Sequence, residues 1–260
     1  MKHWIFHGAL FVLTFLTATL MQGPTYAVAI MAILLAHELG HYFTCRRYGI
    51  PATFPVFIPM PNLLGTLGAV IAIKGKIPNR KALFDIGVSG PLIGLALAIP
   101  AIVIGLFFSH VIPRQTDGGM LSLGDPLLFS WLARLVKGPL PETQDIALHP
   151  LAFAGWAALF VTSINLFPAG QLDGGHIIHA LFGQKKGRWI SWGVWVGLLY
   201  LGYRYHPMWI VFATLLLLLL FRNHPPVEEE ASLSKGRWFL AALAYGLMII
   251  WFTPIPFDFR

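Results

Sequence analysis

Charge is scarce in this chain: Asp, Glu, Lys and Arg together make up 11% of its 260 residues, against 57% hydrophobic ones. With a mean hydropathy of +0.70, that balance excludes an ordinary water-soluble domain and places the chain in a lipid bilayer. Cysteine is nearly absent. The single Cys45 excludes an internal disulfide and any multi-cysteine zinc module, so a metal site here has to draw on histidine and carboxylate. Acidic residues are fewer than basic ones, 11 against 18, for a formal net charge of +7. The excess does not form the basic stripe of a nucleic-acid binder, because Lys and Arg sit at the ends of apolar runs. No nucleic-acid partner is expected.

What the chain has in abundance is long apolar runs. Seven candidate spans emerge: Trp4 to Met21, Tyr26 to Thr44, Leu83 to Phe108, Leu151 to Phe167, Trp189 to Leu201, Met208 to Phe221 and Trp238 to Phe252. The fifth and sixth are short, and are read as tilted, partly embedded, or joined in a hairpin around Tyr203 to Pro207. Met1 to Ala27 also has signal-peptide features, but the run from Trp4 to Met21 is long enough to cross a bilayer and is read as the first span. Between the second and third spans, prolines block a helix, and the stretch after Gly68, bounded by Gly65 and Gly75, reads as one or two short strands at the membrane edge. Leu127 to Val136 reads as a short amphipathic helix at the interface. The fold class expected is an all-α polytopic membrane protein of about six or seven transmembrane helices with a small membrane-associated β-region. Residues 1–260 are read as one integral-membrane domain, with a core over 26–182 and additional C-terminal spans over 189–260.

Lys and Arg collect on cytoplasmic loops. Arg46, Arg47, Lys74, Lys76, Arg80 and Lys81 lie between spans two and three, Lys185, Lys186 and Arg188 between four and five, and Arg222, Lys235 and Arg237 between six and seven. The connection from Ser109 to Pro150 offsets Arg114, Arg134 and Lys137 with Asp117, Asp125, Glu142 and Asp145. The N-terminus is therefore expected on the cytoplasmic side, the C-terminus outside, and the membrane is expected to be a prokaryotic cell membrane. The tract Glu228 to Glu230 reads as a solvated turn.

The chemistry begins at His37-Glu38-Leu39-Gly40-His41. Two histidines four apart on a helix project from one face and can grip one metal ion. Glu38 beside them can reach a metal-bound water as a general base. A carboxylate inside an apolar span costs about 2.5–3.5 kcal/mol on insertion scales, so it marks function. A catalytic zinc needs a third protein ligand and an open fourth position. The best candidate is Asp173, in Asn165-Leu166-Phe167-Pro168-Ala169-Gly170-Gln171-Leu172-Asp173-Gly174-Gly175, where Pro168 and glycines interrupt the fourth span. His41 precedes Arg46 by five residues and Asp173 shortly precedes Lys185, which puts both motifs toward the cytoplasmic side. His176 and His179 are read as neighbours of the ligand set or helix-start residues, His7 as near the site or packing, and Asp85 as a partner of the site, an N-cap or an interfacial charge. His3, His110, His149, His206 and His224 are read as surface residues. The nine Trp are expected as interface anchors and lipid-facing packing.

HELGH in a hydrophobic segment followed by NLFPAGQLDGG resembles the site-2 protease family of intramembrane zinc metalloproteases. The likeness runs from the second span through Gly175 and includes Gly65-Thr66-Leu67-Gly68-Ala69 and the stretch from Arg80 to Pro91. It implies one zinc ion per chain held by His37, His41 and Asp173, with Glu38 as catalytic base. Asn165 and Pro168 match the family's Asn-x-x-Pro-x-x-x-Leu-Asp-Gly pattern, and Asn165 is implied to bond substrate backbone or order the site. The substrates implied are transmembrane proteins or remnant signal peptides, cut in regulated intramembrane proteolysis by a single protease domain with no room for the PDZ or CBS domain that some family members add. The strand-like Gly68 to Ile73 region reads either as the edge that holds the opened segment or as a hairpin that only plugs a gap between helices. Two other readings stay open: a site that moves metal ions, which would need polar positions at several membrane depths, and a pseudoprotease that binds transmembrane helices without cutting them.

Overall fold

The computed structural model describes residues 2–114, 121–220, 227–229 and 232–259. Phe221, Arg222, His224 and Glu230, which figure in the expectations above, lie outside them. The architecture is mainly helical. A first helical pair, α1 (Lys2–Gln22) and α2 (Pro24–Arg47), is divided by Gly23 and restarted by a proline at the first position of α2, where a missing N–H costs nothing. A β-hairpin follows, β1 (Val56–Pro59) and β2 (Thr66–Val70), paired antiparallel with Phe57 opposite Ala69. Strand β3 (Ile77–Asn79) leads directly into α3 (Arg80–Phe108). Asn79 caps α3 by accepting the Ala82 N–H at 2.9 Å, a contact that typically contributes about 1 kcal/mol.

The return from α3 is a loop closed by β4 (His110–Pro113) against β6 (Gln144–Ala147), with β5 (Leu121–Leu123) and α4 (Leu127–Lys137) between them. Then come α5 (Pro150–Asn165), α6 (Asp173–Arg204), α7 (Met208–Leu220), β7 (Val227–Glu229), α8 (Lys235–Trp251) and β8 (Phe257–Phe259). Strand β7 runs parallel to β3 and β8 pairs antiparallel with β5. Helices α1, α2 and α3 are long and apolar enough to cross a membrane; α5 and residues Met208–Leu218 form shorter apolar helices.

Several elements differ in extent from the sequence reading. The strands sit at 56–59 and 66–70, while Ile73 makes only an isolated bridge to Ala52. The reason is the anchoring of the hairpin's turn. Thr17 Oγ1 donates to Gly65 O at 2.7 Å, Gln22 Nε2 to Leu63 O at 2.9 Å, and Tyr26 OH to Leu64 O at 3.1 Å. Gly65 has φ +70° and lies so close to the Ala18 backbone that no Cβ fits. The fifth span proves to be the second half of α6, which starts at Asp173 and breaks at Gly183, where φ +79° and ψ 172° leave helical space. Arg80 satisfies the carbonyls exposed by that break: its Nε and Nη2 donate to Ala180 O and Leu181 O, each at 2.6 Å. The second half of α6 and α7 then form a tight helical hairpin, with Trp195 Nε1 donating to Ala213 O at 3.0 Å.

Helix α3 is the central post, flanked by α2, α5 and α6. Its crossing with α5 is tight because glycine stands on each helix: a Cβ on Gly105 would strike the Ala152 backbone, and one on Gly155 would lie 2.6 Å from Ile102 Cγ1. Small residues at such crossings are how helices approach closely where lipid removes the hydrophobic drive between them. Lys137 on α4 caps the far end of α3 through the carbonyls of Ser109 (2.8 Å) and Phe107 (3.2 Å). The tryptophans divide. Trp131 and Trp189 are exposed, as expected of lipid-facing rings, whereas Trp156, Trp209 and Trp251 are buried. Two of the buried indoles reach backbone carbonyls, Trp156 Nε1 to Gly124 O (3.0 Å) and Trp209 Nε1 to Pro254 O (2.7 Å), so these rings tie loops to helices rather than anchoring an interface.

Gly105→Ala should destabilise the fold by about 1–3 kcal/mol through overpacking. Gly197→Ala, facing open space on α6, should be neutral or raise stability by up to about 1 kcal/mol. Thermal unfolding of the two variants in detergent micelles checks the contrast.

Candidate metal centre

Helix α2 presents His37 and His41 on one face, one turn apart, with ring centroids 4.9 Å apart and planes at 67°. Both are buried, as is Glu38 between them. Helix α3 runs antiparallel along this face and meets the two rings with backbone at Gly90 and Gly94. A Cβ on Gly90 would collide with the His41 ring, and one on Gly94 would come within 3.1 Å of His37 Nδ1. Gly40, in the middle of the HELGH motif, faces the same helix: a Cβ there would lie 2.8 Å from Ser89 O, 3.0 Å from Ile93 Cδ1 and 3.1 Å from Gly90 Cα. A glycine seam on α3 thus lets a helix backbone lie on two imidazoles at 90 and 94, while Gly87 one turn earlier lies against Asp173 O and His176.

Asp173 reaches the same point from the other side. After α5 ends, the chain turns through bonds from Phe167 N to Ile164 O, Ala169 N to Phe167 O and Leu172 N to Ala169 O, and α6 begins at Asp173 itself. The turn is compact because Gly174 and Gly175 lie against the Leu166 and Gly170 carbonyls, with no room for a Cβ at either. Asp173 Oδ2 stands 3.1 Å from His37 Nε2 and Oδ1 stands 3.3 Å from His41 Nε2. The donor atoms of these three residues all lie within 4.8 Å of one another.

The hydrogen bonding defines what this cluster lacks. His41 Nδ1 is 2.8 Å from Ile86 O; a carbonyl only accepts, so Nδ1 carries the proton. In the neutral ring Nε2 is then a lone pair facing a carboxylate oxygen at 3.3 Å, and two acceptors in a buried site require a cation or a proton between them. A tetrahedral ion with bonds of about 2.0–2.1 Å to nitrogen and oxygen separates its ligands by about 3.3 Å, which matches both distances. Two imidazoles and one carboxylate is a donor set that zinc accepts, with a fourth position left over. The Ile86 carbonyl is the partner that orients the imidazole. Glu38 interacts electrostatically with His41, His37 and Asp173, and the Ile71 backbone N–H, just past β2, approaches its carboxylate. Asp173 is the more accessible of the donors, its side chain 14% exposed against 6% and 7% for the histidines.

The remaining sequence-singled residues fall outside the three-donor cluster. Asn165 ends α5 and Pro168 sits in the turn that delivers Asp173; both are half-buried. His176 packs its Cβ close to Gly87. His179 Nδ1 lies 2.7 Å from Gly175 O, with its ring against Gly187. His7 tilts against Phe6 on α1. His149 caps α5 by accepting the Leu151 N–H, and His206 accepts from Met208 N, each at 3.2 Å. Asp85 is not the cap of α3: it takes two bonds from Arg237, at 2.8 and 2.7 Å, and one from the Tyr48 hydroxyl. Burial, and then the bond to Asp85, push the Tyr48 phenol up from its ordinary range, which keeps it a donor. Sequence reasoning missed Gly87, Gly90, Gly94 and the Ile86 carbonyl. The signal was there in the spacing of three and four between those glycines, which places them on one face of α3.

Comparison with known proteins places these features in a family. Residues 25–203 match the model of Peptidase family M50. A "Probable zinc metalloprotease EGY2, chloroplastic" of Oryza sativa subsp. indica is 30% identical over 256 residues, covering 94% of this chain and 46% of the relative. The Arabidopsis thaliana protein of the same name is 30% identical over 245 residues, covering 92% of this chain and 43% of its own length. A "Probable zinc metalloprotease EGY1, chloroplastic" of Oryza sativa subsp. japonica is 31% identical over 241 residues, 88% of this chain and 40% of the relative. The chain therefore spans less than half the length of these curated relatives. No solved structure matches it. The relatives are plant chloroplast proteins by name, which lends no support to a prokaryotic cell membrane.

The seam makes Gly90 as sensitive as a ligand. Gly90→Ala should weaken divalent-ion binding at this cluster at least about tenfold, as expected for disturbed partners of metal ligands. Gly193→Ala, with open space around it, should leave binding unchanged. Chelator competition on the two purified variants gives the comparison.

Proposed function

Because the chain belongs to peptidase family M50, we propose that it is a membrane zinc metalloprotease that hydrolyses peptide bonds in or near transmembrane segments, with residues 1–260 acting as one membrane domain. The convergence of His37, His41 and Asp173 beside a buried Glu38 carries this reading. His37, His41 and Asp173 would hold one zinc ion. When bound, the ion supplies Lewis acidity, polarising a carbonyl and acidifying water.

The protein's own groups do the rest. Glu38 is the proton carrier: it takes a proton from the attacking water and returns it to the leaving amine. Its burial and its place beside the three donors suit that role, since a base must be held near the reacting atoms without bulk water. Ile86 O holds His41 in the tautomer whose Nε2 is free to bind. Helix α3 lays its backbone at Gly90 and Gly94 on the two imidazoles, which fixes the rings in place.

Peptide bonds in a helix hide their carbonyls in hydrogen bonds, so a transmembrane substrate has to open locally. The β1–β2 hairpin is suited to receive it. Among the described residues it is a two-stranded sheet, so each strand has one edge not paired to another strand, the feature that strand addition uses; its turn is anchored on α1 and α2, and the chain leaving β2 brings the Ile71 N–H to Glu38. A carbonyl held there in extended form lies next to the base. The substrates that fit are membrane-anchored proteins or remnant signal peptides. Asn165 and Pro168, at the approach to Asp173, are placed to order the site or meet substrate backbone.

The site lies toward the Lys/Arg-rich side of the bilayer, cytoplasmic by the positive-inside rule. Arg46 and Arg47 close the helix that carries both histidines, and Arg80 opens the helix that covers them. Water would enter from that side.

Glu38→Gln should retain about one zinc per chain and lose proteolysis by about 10²–10⁴-fold or more, the usual contribution of a general base. Metal analysis of the purified variant, paired with cleavage of a transmembrane test substrate in proteoliposomes, decides it. Undiminished cleavage would rule out Glu38 as the base, and flux of zinc with no cleavage by the unsubstituted protein would favour an ion-moving site.

A further inference from the structure

Helix α8 stands beyond residues 25–203 that match the family model, yet it reaches the framework of the metal centre at two points. Tyr245, midway along α8, donates its hydroxyl to Gly174 O at 2.7 Å. Gly174 is the chain neighbour of Asp173. Arg237, in the first turn of α8, makes its paired bonds to Asp85, the chain neighbour of Ile86, whose carbonyl holds His41 Nδ1. Each contact thus ends one residue away from a group that sets a metal donor.

The helix is fixed at both ends. At its start the Arg237–Asp85 pair is joined by the Tyr48 hydroxyl. Past its end, Trp209 Nε1 donates to Pro254 O and β8 pairs with β5. Between these points Ala241 and Ala244 pack into the cluster formed by the starts of α3 and α6. A helix that only filled space would need no polar group at its centre; phenylalanine would fill the volume of Tyr245 without a hydroxyl to satisfy in a water-poor interior. The bond to Gly174 O tethers the first turn of α6, and that turn carries Asp173.

We propose that α8 is part of the metal centre, with Tyr245 and Arg237 as positioning residues that hold Asp173 and the Ile86 carbonyl, and through it His41, at the separations one metal ion needs. The proposal rests on the metal-site reading above. Loss of either tie loosens the ligand set without removing a donor. The bonded groups lie one residue beyond the direct partners of metal ligands, whose loss costs about 10–100-fold in affinity, so an effect of about three- to tenfold is expected for each tie.

The test uses the full chain in detergent micelles loaded with Co²⁺, whose visible absorption reports coordination geometry, with affinity read by chelator competition. Tyr245→Phe and Arg237→Gln should each release Co²⁺ about three- to tenfold more readily and alter the band intensities. Tyr203→Phe, the same change at an exposed ring on the fold's outer surface, far from these ties, should match the unsubstituted protein in both. Exchanging the pair as Asp85→Arg with Arg237→Asp should recover part of the loss seen in Arg237→Gln. Variants that equal the unsubstituted protein in affinity and spectrum would overturn the positioning role alone. Failure of the unsubstituted protein to take up Co²⁺ or Zn²⁺ would overturn the metal reading, and this proposal with it. If Arg237→Gln does not fold, Tyr245→Phe, which keeps the ring and its packing, decides by itself.

Discussion

Two imidazoles and two carboxylates inside an apolar helical bundle can persist only if each polar atom finds a partner, because water is not there to supply one. In this protein the partners come from backbone and from the cluster's own side chains. Ile86 O takes the His41 N–H, and the carboxylate of Asp173 faces both histidines. Backbone can come that close only where side chains are missing, and this one constraint explains the glycines at 40, 87, 90 and 94 together with the pair at 174 and 175. Helix α3 lies on α2, and the first turn of α6 folds back on its own approach, because nothing protrudes. The same device recurs where α3 crosses α5 at Gly105 and Gly155. Close packing of small residues serves both the bundle and the site.

The second requirement is delivery. His37 and His41 need only a helix, but Asp173 has to arrive from a different part of the chain, 132 residues after His41 by simple subtraction of their positions. The compact turn after α5, the helix start at Asp173 and the cap that Arg80 places on Ala180 and Leu181 fix the short helical segment that ends at Gly183. Helix α8 adds ties from outside. The donor set is therefore held by contacts distributed over α2, α3, α6 and α8, which is why residues far from the metal in sequence are expected to matter to it.

How much of this was legible in the sequence depends on range. The gathering of His37, His41 and Asp173 was readable because the first two obey helical spacing and because a carboxylate after Pro168 in an apolar context calls for a partner. Helices α1, α2, α3 and the amphipathic α4 followed from apolar runs and their breaks. The strand-like stretch read after Gly68 overlaps only the end of β2, and β1 was not anticipated, since the hairpin is set by Thr17, Gln22 and Tyr26 gripping the turn at 63–65, a tertiary effect with no local signature. The helix beginning at Asp173 was hidden because Gly174 and Gly175 look like a break; their packing against the Leu166 and Gly170 carbonyls shows why glycine is needed there inside a helix. Three buried tryptophans ran against the interface rule because loops at 124 and 254 offered carbonyls to two of their indoles. The Arg237–Asp85 pair, 152 residues apart, was beyond any local pattern.

The most direct test of the central claim is zinc K-edge X-ray absorption on the purified 260-residue chain. The account predicts one tightly bound zinc per chain with two imidazole ligands and two oxygen ligands at about 2.0–2.1 Å, and loss of the metal signal when His37, His41 or Asp173 is replaced. A spectrum that shows sulfur coordination, or a zinc shell unchanged by Asp173→Asn and His41→Asn, would contradict it.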